Sequence, residues 1–260
     1  MRTCLITILF LLSTSVLHAN TLKIVTGEYA PYTGETLKEG GVSTQVIKAI
    51  FSEIKQPIKI EFIPWNRAMN NLKSGNAAGS FPWTKNAERE IDFLYSEPLH
   101  KYKLISYVRN DSILLKTFDL KGKKICQPSG WDISFLNEAF ATKKITIERP
   151  INMESCLQMV SLGRVDIVIM NNHVGAEFLN KLSLKNSPIT GIDNDYFGKE
   201  FALYFIVSKK YPNAKKIIAE FNKGLALIKS NGKYEKLTHE LLKKETVKSS
   251  CGTCSRLGSL

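Results

Sequence analysis

Two successive series of strand and helix patterns constrain the fold of this chain more than any other feature. The first series runs from an apolar strand pattern at residues 22–26 to a strand at residues 77–81. The second begins at residues 124–126 and repeats the order strand, helix, strand, helix, strand as far as residues 166–170. A helix between two strands favours their parallel pairing in one sheet. We therefore predict an α/β protein with two mostly parallel sheets, each flanked by helices.

Aromatic and polar side chains follow the ends of these predicted strands. Small molecules bind beyond the carboxyl ends of the strands in open α/β sheets, so these side chains are candidates for one site. In the segment 82–92, Pro82 stops a strand, Asn86 caps a short helix, and Arg89 lies one turn in. These groups suit a small carboxylate, although an ordinary turn with a surface arginine has the same pattern. The candidate residues are Tyr29, Trp65, Arg67, Trp83, Thr84, Arg89, Trp131, Asp132 and Asn171.

The N-terminal residues predict export from the cytoplasm. Arg2 gives a positive start, residues 5–12 are almost wholly apolar, and Ala19 completes a passable cleavage site. The apolar run is too short for a comfortable membrane span. We therefore predict a signal peptide at residues 1–19 and a periplasmic protein, the alternative being an uncleaved anchor.

Four cysteines follow the predicted signal peptide, and an even number in an exported chain suggests disulfide pairing. Cys126 and Cys156 lie in segments with strand and helix patterns. Cys251 and Cys254 lie in a tail, residues 246–260, that we expect to be disordered. The tail cysteines form either a local bridge or none.

Charge and motif content argue against several functions. The formal net charge is +12, but the lysines are scattered and no nucleic-acid-binding motif is present. The charge therefore indicates solubility and a mild preference for anionic ligands or surfaces. His100, His173 and His239 form no recognisable pair with a nucleophile, and no hydrolase or metalloprotease motif occurs. We expect no catalytic residue, no metal site and no cofactor.

Several local strings resemble one known family. They are Tyr29-Ala30-Pro31-Tyr32, Pro64-Trp65-Asn66-Arg67-Ala68, Ala87-Glu88-Arg89 with Asp92-Phe93 and Ser96-Glu97-Pro98, Leu120-Lys121-Gly122-Lys123-Lys124, and Gly163-Arg164-Val165-Asp166. With the order of elements, they resemble the periplasmic solute-binding proteins of polar amino-acid ABC importers, in the less characterised branch that carries Pro-Trp-x-Arg-Ala. The resemblance covers about residues 21–243.

That resemblance implies a two-lobed periplasmic binding protein fold of type II, with two hinge strands. Lobe 1 would comprise residues 20–107 and 202–245, and lobe 2 residues 108–201. A monomer of this kind captures a small carboxylate-bearing solute between its lobes and docks on an ABC permease in the inner membrane. The same fold also serves as a sensing module for receptor kinases and, in some proteins, as a dehydratase. We predict transport, because no kinase or membrane domain is fused to the chain and no catalytic motif is present.

The family pattern also implies ligand-binding roles in lobe 1. Arg89 holds the ligand carboxylate, and Thr84 adds its hydroxyl. Tyr29 stacks on the ligand, and Trp65 contacts the ligand side chain. Arg67 is either a second anion contact or a surface residue.

Two departures from the family pattern concern the amino group of the ligand. Asn171 stands where the family usually has an aspartate for the ligand ammonium, and Trp131 and Asp132 replace a pair of small hydroxyl residues. A buried ammonium needs an anionic partner. Either Asp132 or Glu28 supplies it, or the ligand lacks an α-ammonium group; Asp132 has the alternative role of capping a helix. The tryptophans, with Trp83 among them, suit a flat, apolar or cationic ligand, the alternative being core packing.

The two-lobed arrangement predicts which elements carry Cys126 and Cys156. Cys126 lies on the first strand of lobe 2, and Cys156 lies on the helix expected to pack near that strand. We therefore predict a disulfide between them, which requires Cα atoms within about 7 Å.

Overall fold

The computed structural model describes residues 20–181, 188–193, 196–197 and 200–246. The predicted signal peptide and almost all of the predicted tail, including Cys251 and Cys254, lie outside the described residues. Within the described part of the chain, no helix combines the length and the apolar composition that a membrane span requires.

Eleven strands and eight helices are described, together with 3₁₀ turns at Lys38–Gly40, Ile113–Leu115 and Ser134–Leu136. In chain order the elements are β1 (Leu22–Thr26), α1 (Val42–Glu53), β2 (Ile58–Phe62), α2 (Trp65–Lys73), β3 (Gly79–Trp83), α3 (Ala87–Asp92), β4 (Phe93–Tyr95), β5 (His100–Tyr102), β6 (Leu104–Arg109), β7 (Lys124–Cys126), α4 (Asn137–Lys143), β8 (Thr146–Glu148), α5 (Met153–Ser161), β9 (Ile167–Asn171), α6 (Asn172–Lys181), β10 (Ile189–Asp193), β11 (Phe201–Ser208), α7 (Ala214–Ser230) and α8 (Lys233–Thr246).

The strands form two sheets, which confirms the predicted α/β class. Sheet 1 has the order β2-β1-β3-β11-β4, with β5 also paired to β11, and sheet 2 has the order β10-β6-β9-β7-β8. Strands β1, β2 and β3 are parallel, as are β7, β8 and β9. The other pairings are antiparallel, so each sheet is mixed and has more antiparallel pairing than the strand–helix alternation predicts. The extra pairs arise at β6 and β11, which follow the two crossings between the sheets.

The chain passes between the sheets twice. Tyr102 still pairs in sheet 1, whereas Leu104 already pairs in sheet 2. The return runs from Asp193 in sheet 2 to Phe201 in sheet 1. The boundary expected between residues 107 and 108 therefore falls inside β6, because an apolar strand pattern does not show which sheet the strand joins. Below, lobe 1 denotes sheet 1 with its helices and lobe 2 denotes sheet 2 with its helices.

Each lobe has an apolar core between its sheet and its helices. In lobe 1, α1 buries one face that includes Ile47 and Phe51, and the Phe51 ring lies 5.6 Å from that of Phe221 in α7. In lobe 2, Cys126 at the end of β7 is joined to Cys156 of α5, with Cα atoms 5.4 Å apart. The predicted disulfide is thus confirmed, and it ties the first strand of lobe 2 to a helix on that sheet.

A buried histidine lies close to the lobe junction, and we expect it to make the stability of the protein depend on pH. His100 is 4% exposed, its ring lies 5.2 Å from that of Tyr32, and its Nε2 has no hydrogen-bond partner among the described residues. Burial, and then the neighbouring His173 and Lys229, lower the pKa of His100 to about 3. The unfolded chain therefore takes up a proton near pH 6.5 that the folded chain does not. We expect the free energy of unfolding to fall from about pH 6.5 toward pH 3, by at most about 1.4 kcal/mol per unit from this group.

Urea unfolding at stepped pH measures this dependence. The His100→Gln variant should show a flatter slope than the wild type in this window, because it lacks the titrating ring. His239→Gln is the matched control, since His239 is exposed on α8 and its variant should retain the wild-type slope. Equal slopes for the wild type and His100→Gln would contradict the assignment.

Candidate functional site

A cavity of about 340 Å³ lies between the two lobes. Its walls include eight of the nine predicted site residues: Tyr29, Trp65, Trp83, Thr84, Arg89, Trp131, Asp132 and Asn171. Arg67 is exposed on α2 and does not line the cavity, which corresponds to the surface alternative for this residue. The structure thus brings residues from both lobes to one site.

Arg89 is held in the cavity wall by local structure that the sequence predicts. The side chain of Asn86 caps α3 by accepting the N–H of Arg89 at 2.9 Å. The guanidinium lies over the Trp83 ring, with Cζ 5.0 Å from the centroid. Its Nη1 donates to the carbonyl oxygen of Thr84 at 3.1 Å and to the hydroxyl Oγ1 at 2.6 Å. Nε and Nη2 have no acceptor among the described residues, so the planar edge that suits two carboxylate oxygens is open.

The two tryptophans of lobe 1 are fixed by hydrogen bonds and by a glycine. Trp65 Nε1 donates to the carbonyl oxygen of Glu28 at 3.0 Å, and Trp83 Nε1 donates to Ser80 Oγ at 2.7 Å. The two rings meet edge to face with centroids 5.0 Å apart. A Cβ on Gly27 would lie 2.6 Å from the Trp65 ring, so only glycine lets this indole pack against β1. Trp83 is therefore both a core residue and the platform beneath the guanidinium.

Asp132 is the acidic group that lobe 2 presents to the cavity. Its Oδ1 accepts the N–H of Ser134 at 3.0 Å, and its Oδ2 accepts the hydroxyl of Thr84 at 3.1 Å. Burial alone would raise the pKa of this carboxyl, but the hydrogen bonds from Ser134, the charge of Arg89 and the Thr84 hydroxyl together outweigh burial and lower the pKa. The side chain is therefore a carboxylate at neutral pH, and it both accepts the N–H of Ser134 and lines the cavity.

Further contacts bridge the cleft beside the hydroxyl–carboxylate bond. The Tyr29 ring meets the Trp131 ring edge to face, with centroids 5.5 Å apart. The amide nitrogen of Asn171 donates to the Tyr32 hydroxyl at 3.1 Å, and Tyr32 is fully buried. Burial, and then the neighbouring Tyr32, raise the pKa of Tyr29, so the Tyr29 phenol is neutral. The lobes are therefore closed on one another in this structure.

Asn171 is occupied by structural contacts. Its Oδ1 accepts the N–H groups of His173 at 2.9 Å and Val174 at 3.4 Å, which caps the start of α6. Its amide also bonds Tyr32 across the cleft, and the residue is 2% exposed. Sequence reasoning assigned Asn171 to the ligand and did not identify Tyr32 as its partner, because the two residues are 139 positions apart.

The charged side chains of the cavity differ in whether they are already paired. Lys85 forms a salt bridge with Glu90 at 2.9 Å, and Glu200 forms one with Lys101 at 2.7 Å. The guanidinium of Arg89 and the carboxylate of Asp132 have no ion-pair partner within 4.0 Å among the described residues. The cavity therefore presents one unpaired positive group and one unpaired negative group.

Several further side chains of the wall, most of them aromatic, were not predicted from the sequence. They include Tyr102, Gln127, Phe135, Phe201 and Tyr204. Most of them lie within or beside strands that follow a crossing, and the strand pattern does not show which face meets the cleft. Gln127 is the exception, because it directly follows β7 and the rule for strand ends could have identified it; its side chain donates to the carbonyl oxygen of Ile169. With these residues, the larger part of the cavity wall is apolar.

Comparison with known proteins agrees with this geometry. The family model described as bacterial extracellular solute-binding proteins, family 3, matches residues 22–244. No curated protein sequence matches the chain.

Solved structures share the fold at low sequence identity. The substrate-binding protein of an amino acid ABC transporter is 19% identical, with a TM-score of 0.70 over 86% of this chain and 100% of that chain. The arginine-, lysine-, histidine-binding protein ArtJ from Geobacillus stearothermophilus is 18% identical, with a TM-score of 0.69 over 85% and 94%. A histidine kinase sensor domain is 18% identical, with a TM-score of 0.71 over 85% and 96%. By the match along most of its length, the chain belongs to the bacterial extracellular solute-binding proteins, family 3.

Proposed function

We propose that this protein captures a small carboxylate-bearing solute, an amino acid or a related compound, and delivers it to an ABC importer. The observation that carries the proposal is the open, planar edge of the Arg89 guanidinium inside a cavity between closed lobes. A solute held there contacts both lobes only when they are closed, so it stabilises the closed state. A permease that binds this closed state would then receive the loaded protein.

Other features support parts of this proposal. The family consists of extracellular proteins, and the N-terminal sequence has the pattern of a signal peptide, so we place the protein in the periplasm. The substrate-binding protein of an amino acid ABC transporter shares the fold. We further expect the protein to be a monomer. We also expect it to bind no nucleic acid and to catalyse no reaction, because the sequence has no motif for either activity.

A second candidate function is sensing. The histidine kinase sensor domain also shares the fold, and lobe closure around a solute would serve a receptor as well as a permease. The two functions use the same cavity and differ only in the partner of the closed form.

Mass spectrometry of solute extracted from protein purified from the periplasm tests the proposal. We expect a compound with a carboxyl group, released when the protein is denatured. Deletion of the gene should then reduce uptake of that compound by cells; intact uptake with altered transcription would favour the sensing function. A bound compound without an acidic group, together with no carboxylate that raises the melting temperature, would contradict both functions as stated.

A further inference from the structure

The two unpaired charges of the cavity lie close together. Thr84 Oγ1 is 2.6 Å from Arg89 Nη1 and 3.1 Å from Asp132 Oδ2, so these two charged atoms are separated by at most about 5.7 Å. They belong to different lobes and come together because the lobes are closed. A guanidinium and a carboxylate at this separation match a solute whose anionic and cationic groups are adjacent.

The hydroxyl between these charges has a defined direction of hydrogen bonding. A threonine hydroxyl has one hydrogen to donate. Arg89 Nη1 and Asp132 Oδ2 flank Thr84 Oγ1, and only the carboxylate can accept this hydrogen, so the hydroxyl accepts from Arg89. In the closed form Thr84 therefore orients the two charged residues and has no hydrogen left for a ligand carboxylate. The family pattern instead implies that the Thr84 hydroxyl contacts the ligand carboxylate directly.

The other candidates for an anionic partner are unsuitable. Glu28 is exposed, does not line the cavity, and accepts the N–H of Glu35 at 2.9 Å through Oε1. Asn171 is neutral, and its oxygen caps α6. Glu200 is neutralised by Lys101. Among the described residues of the cavity wall, Asp132 is the carboxylate without an ion-pair partner within 4.0 Å.

We propose that Asp132 binds a positively charged amino group of the solute, and so takes the part that a strand-end aspartate would otherwise have at position 171. The inference rests on the proposed function, because it requires the solute carboxylate to be at Arg89. It adds that the solute carries an ammonium group next to its carboxylate, and that lobe 2 recognises this group from the loop after β7. The surrounding aromatic side chains then contact the apolar part of the solute.

Calorimetry with paired ligands tests the role of Asp132. The probes are the standard amino acids and, for each that binds, the acid with the same side chain but no amino group. In the wild type, the amino acid should bind at least about tenfold more tightly than its partner acid. Asp132→Asn should remove this preference by weakening the binding of the amino acid. Asp132→Glu retains the charge and should keep part of the preference.

Glu138→Gln is the matched control, because Glu138 is an exposed acid of lobe 2 on α4 and lies outside the cavity wall. Its ligand preference should equal that of the wild type. An Asp132→Asn protein that still prefers the amino acid would overturn the inference, provided that its thermal unfolding is cooperative. If Asp132→Asn does not fold, Asp132→Glu decides: a preference for the amino acid that is weaker than in the wild type supports the inference, and a preference equal to that of the wild type overturns it.

The outcomes separate this inference from the proposed function. Acids without an amino group that bind as tightly as amino acids, and that need Arg89 to bind, would overturn the inference and leave the carboxylate-binding function in place. If no carboxylate binds at all, both are overturned.

Discussion

Replacing Arg89 with alanine is expected to weaken solute binding by about 2–5 kcal/mol, which corresponds to a loss of affinity of roughly 30-fold to several thousandfold at 25 °C. The variant removes the positive group that has no ion-pair partner among the described residues of the cavity wall. The solute carboxylate would then be desolvated inside a largely apolar cavity without a cationic partner, which is costly. Calorimetric titration of the solute that co-purifies with the wild type measures this loss.

Two further variants make the Arg89 experiment specific. Arg89→Lys keeps a positive charge but loses the planar pair of donors, so it should recover only part of the affinity. Arg67→Ala is the matched control, because it removes an exposed arginine of lobe 1 that does not line the cavity, and its affinity should equal that of the wild type. Wild-type affinity in Arg89→Ala would show that the carboxylate is bound elsewhere, and the transport proposal would lose its main support.

The position of Arg89 could be predicted because its signals are local. The Asn86 cap and Arg89 three residues later lie within one turn, and local hydrogen bonds give them their geometry. The expected end of the strand at Pro82 is wrong, because β3 continues through Pro82 and Trp83 still pairs with Tyr204 of β11. The alternation of strands and helices was similarly sufficient for the fold class. These features need no knowledge of how the two lobes meet.

The functions of Thr84, Asp132 and Asn171 could not be predicted in the same way. The bond from Thr84 to Asp132 joins residues 48 positions apart, and it forms only when the lobes close. Asn171 is likewise directed by a tyrosine from the other lobe. The residue types at these positions left several partners open, and the packing of the lobes decides among them. The need for glycine at position 27 is of the same kind, since it depends on an indole ring from another element.

Removing the Cys126–Cys156 disulfide is expected to lower the free energy of unfolding by about 3–4 kcal/mol. The bond closes a loop with a sequence separation of 30, so it restricts the unfolded chain substantially in the chain-entropy model. Both cysteines are fully buried, so the double variant Cys126→Ala/Cys156→Ala also loses packed atoms. Urea unfolding of the wild type and the double variant, each with and without reductant, measures the difference. Reductant should lower the free energy of unfolding of the wild type and leave that of the variant unchanged.

The effect of this disulfide should be on stability and not on affinity. Strand β7 leads directly into the loop that carries Trp131 and Asp132, but β7 is also held by parallel pairing with β8 and β9 and by the buried Ile125. At a temperature where the double variant remains folded, these contacts should keep the loop in place, and the solute should bind as it does to the wild type. A variant that unfolds like the wild type but binds the solute more weakly would show the reverse, namely that the disulfide positions the lobe 2 wall of the cavity.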